Sequence, residues 1–176
     1  MGNRRPATEA EAKALASAVR LRILRLCLDR ALTNKEIADR LGANPATTLH
    51  HVRTLVDTGF LDAEPARRGT RGSREVPYLA TGKSWTVAVH DAAAPGRGEA
   101  MLGAFLAEAR LVDLDQVDMT RLGLRLTEDE FRELRERIGA ILDEYADRPH
   151  SPDGRAYSVF LAYYDDVSRD APPAAS

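Results

Sequence analysis

Cysteine is almost absent from this chain: 176 residues hold one, Cys27. A lone cysteine closes no intrachain disulfide and falls short of the paired thiols of zinc and redox sites. A reducing, cytoplasmic compartment is the expectation that follows. Aromatic residues are scarce too, at 6% with a single Trp. No stretch approaches the roughly 18 apolar residues that span a bilayer, so no membrane role is expected. The N-terminal MGNRRPATEAEAKAL is too polar for the apolar core of a signal peptide, and its start lacks the Ser or Thr of a myristoylation signal. No serine or cysteine sits in a recognisable nucleophile elbow, so no enzyme is expected. TGKSW at 81–85 is not a phosphate loop, because Pro77 stands where that motif needs a glycine. The acidic pairs Asp113/Asp115/Asp118 and Asp165/Asp166 read as solvated surface. Neither a cofactor nor a metal is expected.

What is present is an ordinary globular composition, 44% apolar and 30% charged. The length suits one medium domain or two small ones. The net charge of −2 conceals a split. Residues 1–83 carry 15 Lys/Arg against 9 Asp/Glu, or +6, and residues 84–176 carry 10 against 18, or −8. A basic half joined to an acidic half is the asymmetry of a nucleic-acid-binding domain with a separate assembly or sensing domain.

The Ala- and Glu-rich segment 7–18 predicts a helix. In 19–30, Val19, Ile23 and Leu26 share one stripe with Leu24, Cys27 and Leu28 beside it, which predicts a mostly buried helix. Cys27 is expected to pack there as a small apolar group. Thr33 followed by Glu36 is a capping box, Ile37, Ala38 and Leu41 form an inner face, and Gly42 ends that helix. Asn44–Pro45 then gives an N-cap and a proline at the first helical position of a helix reaching about Thr58. Residues 60–66 and 75–80 read as strands around a basic tip, RRGTRGSR at 67–74. Pro77 points to an edge strand. Two helices, a short turn and a two-stranded wing at about 60–80 make a winged helix-turn-helix. The major groove has about the width of one helix, so a rigidly held second helix presents side chains to base edges.

On that second helix Thr48, Val52 and Leu55 recur at helical spacing and are expected to face the core. Ala46, Thr47, His50 and Arg53 then face outward. The neighbours His50 and His51 lie about 100° apart on the wheel, so they do not share a metal ion. His50 falls on the groove side, and His51 leans toward the body with a buried or half-buried hydrogen bond. Val52, Arg53 and Leu55 follow, then TGFL.

On VRLRILRLC, LTNKEIADRLGANPATTLHHVRTLVDTGFL and the basic wing, residues 17–79 resemble the ArsR-type winged-helix transcriptional regulators. The resemblance implies a homodimer on double-stranded DNA, usually a repressor, with 44–58 in the major groove. The expected DNA contacts are Thr33, Asn44, Ala46, Thr47, His50 and Arg53, with Arg67, Arg68, Arg71 and Arg74 on the wing. Metal-sensing members carry cysteine pairs or Asp/His sets on the dimer helix. This chain has neither.

The expected organisation is α+β: a winged helix-turn-helix domain over 1–91, a linker at 92–98 (AAAPGRG covers it), a dimerisation and effector domain over 99–166, and a disordered tail, 167–176. A helix over 98–114 carries Met101, Leu102, Phe105, Ala109 and Val112, which with Leu15 form the expected dimer faces. Leu122, Leu124 and Leu126 alternate as in a strand, Thr127 and Glu130 cap a helix over 128–147, and AYSVFLAYY at 156–164 reads as a second strand. Two other readings remain open. The C-terminal half holds a small apolar effector among Phe131, Tyr157, Phe160, Tyr163 and Tyr164, or the chain is a protein-interaction module that does not bind DNA.

Overall fold

A computed structural model describes residues 4–69, 74–89, 94–149, 151 and 153–170. The fold is α+β, and the chain divides after Leu114 into two compact units.

The first unit opens with a two-residue strand, β1 (Arg5–Pro6), and helix α1 (Glu9–Leu15). The helix expected over 7–18 stops at Ala16, and α2 (Ala18–Leu26) starts afresh because the Ser17 hydroxyl accepts the Arg20 N–H. Helix propensity sums over a window and does not register such a cap. A short strand, β2 (Leu32–Thr33), leads into α3 (Asn34–Leu41), and the predicted Thr33/Glu36 capping box forms in full. Gly42 closes α3 at φ +62°, a conformation glycine adopts without strain. Helix α4 (Pro45–Asp57) begins at the predicted Asn44 cap with proline in its first turn.

The wing follows as β3 (Leu61–Ala63), β4 (Arg67–Arg68), β5 (Arg74–Glu75) and β6 (Pro77–Ala80). Arg67 pairs with Glu75 and Arg68 with Arg74 across β4 and β5. The three-stranded sheet runs β2-β6-β3, all antiparallel. Pro77 therefore lies on the central strand, not an edge. It is tolerated as the strand's first residue, where its carbonyl accepts the Glu64 N–H at 2.9 Å and its missing N–H breaks no ladder further in. Helix α5 (Lys83–Thr86) and β7 (Val87–Ala88) return the chain to β1, which β7 joins in parallel.

Helix α6 (Arg97–Ala109) packs against α2 with Ala100 and Ala104 buried. The small side chains let the two helices approach closely. The unit thus runs on to Leu114, past the boundary expected at 92–98, and Ala94 of that segment is itself buried. The helix predicted to reach 114 ends at Ala109 and gives way to a 3-10 turn at Leu114–Gln116. One core serves this unit: Ala14, Leu15, Ile23, Leu24, Cys27, Leu32, Ile37, Val52, Leu55, Phe60, Leu61 and Val87. Burial pushes the Cys27 thiol up to about 11, which fits a packed and unreactive group.

In the second unit, α7 (Glu128–Ala146) starts at the predicted Thr127/Glu130 capping box. Its Phe131 meets Tyr163 edge-on, with the Arg135 guanidinium 5.8 Å from each ring. The strands expected at 120–126 and 156–164 do not form. Their alternation specifies two faces, but a strand exists only with a ladder partner, and none pairs with either segment among the described residues. Leu122, Leu124 and Leu126 stay exposed. Val167–Asp170 wind a short helix, α8, where a disordered tail was expected to begin. The Ser168 hydroxyl donates to Asp166 at 2.6 Å and the Arg169 N–H to the Asp166 carbonyl, which anchors that turn. Residues 171–176 lie outside the described residues.

Candidate nucleic-acid interface

Helix α4 is held along one face. Thr48, Val52 and Leu55 are buried in the core. Thr48 is polar, and its hydroxyl is satisfied by donating to the Asn44 carbonyl at 3.0 Å. Ala46, Thr47, His50 and Arg53 are exposed on the other side. No carboxylate pairs with Arg53 among the described residues. The side-chain oxygen of Asn44 accepts the Ala46 N–H at 2.8 Å, which caps the helix at the end aimed outward. Asn34, the first residue of α3, donates its amide to the Pro45 carbonyl at 2.9 Å and so ties the two helices together at their N-terminal ends. Sequence reading missed Asn34. The signal, a polar residue at the first position after the Thr33 cap, is weak because such residues are common there.

At the far end of α4, the Lys83 ammonium donates to the Thr58 carbonyl at 2.5 Å and pairs with Glu11 at 2.7 Å. Glu11 also takes a two-pronged contact from Arg5, at 2.7 and 2.9 Å. The Arg5 and Lys83 hydrogen bonds hold the Glu11 carboxyl far below the usual carboxylate range, even though burial opposes them. This ionic knot, with Glu11 buried at its centre, joins β1, α1, α5 and the end of α4. It fixes the helix from the side opposite the Asn34 tie.

Residues 15–64 match a family model described as a helix-turn-helix domain. That match spans α2, α3, α4 and β3 together with their connections.

Residues 15–64 are a helix-turn-helix domain.

No curated protein matches the chain. Among solved structures, reduced HlyU from Vibrio cholerae is 27% identical, covers 40% of this chain and 68% of its own, and has a TM-score of 0.34. The homodimeric winged helix-turn-helix fragment of a possible ArsR-family regulator from Mycobacterium bovis is 23% identical over 62% of this chain and 82% of its own, at 0.34. Lactococcus lactis ZitR in complex with DNA is 19% identical over 73% and 74%, at 0.33.

The wing strands stand next to the helix-turn-helix domain, which makes it winged as expected. Not every expected contact residue lies open on it. Thr33 is buried, and its hydroxyl accepts the Glu36 N–H at 3.2 Å. Its enclosure in the cap of α3, and not any lack of a donor, keeps it from the open surface. Arg67 is exposed but turned back onto Glu36, with N–O distances of 3.1 and 3.3 Å. Arg68 and Arg74 are exposed on the wing strands, and Arg71 lies outside the described residues.

The two histidines behave as different residues. His50 is exposed. His51 is half-buried, and its enclosed Nδ1 has no hydrogen-bond partner among the described residues, so the bond expected of it is not seen at that nitrogen. Desolvation, then Arg20 and His50, push the His51 pKa below its ordinary value. Among the described residues no cluster of His, Cys, Asp or Glu could hold a metal ion.

Of the expected dimer residues, Leu15 is a core residue with 4% exposure, which removes it from any surface. Met101, Phe105 and Ala109 are half-buried on α6, Leu102 is exposed, and Val112 is exposed just beyond the helix. In the second unit Tyr157 and Tyr164 are exposed at 82% and 72%, so they do not line an enclosed apolar pocket with Phe131 and Tyr163. No helix among the described residues is long and apolar enough to cross a membrane.

Proposed function

We propose that the chain is a sequence-specific DNA-binding transcriptional regulator of the ArsR type, acting as a homodimeric repressor. One observation carries the reading: α4 is clamped to the core through Thr48, Val52 and Leu55 while Ala46, Thr47, His50 and Arg53 stand free on its outer face. Arg53 offers a fork that grips guanine in the major groove, and Thr47 and His50 hydrogen-bond bases or phosphates. The Asn44 cap leaves the start of α4 facing the backbone, and Arg68 and Arg74 on the wing follow the phosphates. Arg71, at the tip, belongs to the same set by sequence. One winged helix makes few phosphate contacts, so pairing two of them raises affinity steeply. Met101, Leu102, Phe105, Ala109 and Val112 supply the pairing face. Repression is steric: the dimer occupies a pseudo-palindromic operator and blocks polymerase.

The test is a gel shift with DNA from upstream of the protein's own gene, run across a salt series. Binding at low salt that weakens as salt rises is expected, and no shift at low salt overturns the reading. Arg53→Ala should cost about 1–3 kcal/mol on the specific site and relax one base position. Arg68→Ala should weaken binding to all sequences and flatten the salt dependence of log K by about 0.9. Equal losses with the same salt slope would contradict this division of labour.

A further inference from the structure

Glu36 does two separable things. Its Oε2 accepts the Thr33 backbone N–H at 2.7 Å and completes the capping box of α3. The same carboxylate holds Arg67, 31 residues further along, at 3.1 and 3.3 Å. The cap requires only an acceptor at this position, and a glutamine serves there as well as a glutamate. The ion pair requires the charge.

That pair does little for stability. Its side chains are 50% and 41% exposed, and an exposed pair is screened by water and salt. Its consequence lies instead in what Arg67 is kept from doing. The neighbouring wing residues Arg68 and Arg74 are exposed, and among the described residues neither is paired with a carboxylate. Arg67 has its guanidinium turned to α3, and an arginine already bonded to a carboxylate offers less to a phosphate, which binds guanidinium in the same forked way.

Resting on the DNA-binding reading above, we propose that Glu36 is a positioning residue that holds Arg67 off the DNA backbone and so sets the sequence-independent affinity of the wing below what its arginines would otherwise give. Sequence-independent binding comes almost wholly from phosphate contacts, so withholding one cation acts on that component directly. Base reading by α4 is untouched, because neither Glu36 nor Arg67 lies on that helix.

The experiment measures binding of the full chain to a duplex of scrambled sequence over a salt series. Glu36→Gln should tighten binding by roughly threefold or more and steepen the salt dependence of log K by about 0.9, the increment of one phosphate contact. The gain should vanish when Arg67→Ala is added. A purely structural Glu36 predicts no gain: binding is unchanged where glutamine keeps the cap, and weaker where its loss loosens α3. A gain that persists without Arg67 means that Glu36 repels DNA directly, and it overturns the proposal, as does unchanged or weaker binding by Glu36→Gln. Arg67→Ala alone gives a check that does not depend on the Gln variant folding: its affinity should stay within about twofold of the unmodified protein, whereas Arg68→Ala loses a full contact. A loss by Arg67→Ala as large as that by Arg68→Ala overturns the proposal. If the unmodified protein binds the operator but the Glu36 result is negative, only this inference falls. If it binds no duplex at low salt, the DNA reading falls too.

Discussion

At the scale of the residue, adjacent positions on one helix have opposite fates. His50 and His51 differ only by the 100° that separates neighbours on a helix. That angle was legible in the sequence because Thr48, Val52 and Leu55 mark the buried side. What was not legible is the enclosure of His51 Nδ1 without a partner, which depends on how α2 and α4 pack. Burial disfavours the charged form of the imidazole, and the positive charge of Arg20 on α2 and then the neighbouring His50 add to it. Its folded pKa therefore lies below the unfolded value of about 6.5. The sign follows. Above about pH 6.5 both states hold a neutral imidazole and full stability is present; as pH falls, the unfolded chain takes the proton first and stability is lost. Glu11 and Glu36, both held below the ordinary glutamate value, add their losses only at lower pH, below about 4.5. Urea midpoints at pH 7.5 and 5.5 should therefore differ for the native chain, and His51→Gln should shrink that difference. An equal difference in both proteins sinks the assignment to His51. Thr33 and Leu15 were expected on contact surfaces, and the packed fold encloses both, the threonine as the cap of α3 and the leucine in the core.

At the scale of the element, caps proved more legible than strands. Thr33/Glu36, Asn44–Pro45 and Thr127/Glu130 all start helices where their spacing says they should, because a cap is a contact among residues two or three apart. The leucine alternation at 120–126 and the aromatic run at 156–164 gave no strand, since pairing is decided by a distant partner. Helix ends can be tested at two glycines. Gly42 closes α3 at φ +62° with open space around the position of a Cβ. Gly59 follows α4 at φ +70°, but a Cβ there would stand 3.1 Å from the Lys83 ammonium. Gly42→Ala should cost only the left-handed strain, about 1–2 kcal/mol. Gly59→Ala carries the same strain and also crowds the Lys83 ammonium, which must shift by a few tenths of an ångström from its bonds to Thr58 and Glu11, so it should cost more. Chemical denaturation orders the two variants, and a larger loss at Gly42 would show that the Lys83 knot does not brace the end of α4.

At the scale of the whole molecule, burial is unevenly shared. Every residue of the hydrophobic core precedes Leu114, whereas Gly139 is the only buried residue among those described from 115 to 170. A unit that buries its own apolar residues can unfold as one cooperative block without help from elsewhere. The charge division near residue 83 hinted at two parts. The seam itself lies later, because the alanines of α6 pack on α2, and alanine leaves no strong mark in a hydrophobic pattern. A chain ending at Leu114 is therefore expected to keep a single thermal transition, within a few degrees of the full-length midpoint, when followed by circular dichroism. The same truncation separates two ways of pairing. The surface of α6 and its end, with Leu102, Leu106 and Val112 exposed, remains in the shortened chain, and the segments 120–126 and 156–164, which form no strand, do not. If α6 supplies the dimer face, light scattering on the truncated chain should still give twice the monomer mass, and Leu102→Asp should halve it by placing a charge in a contact that must be dry. A truncated chain that folds but runs as a monomer would move the pairing surface into the second unit and remove Met101, Leu102, Phe105, Ala109 and Val112 from the interface.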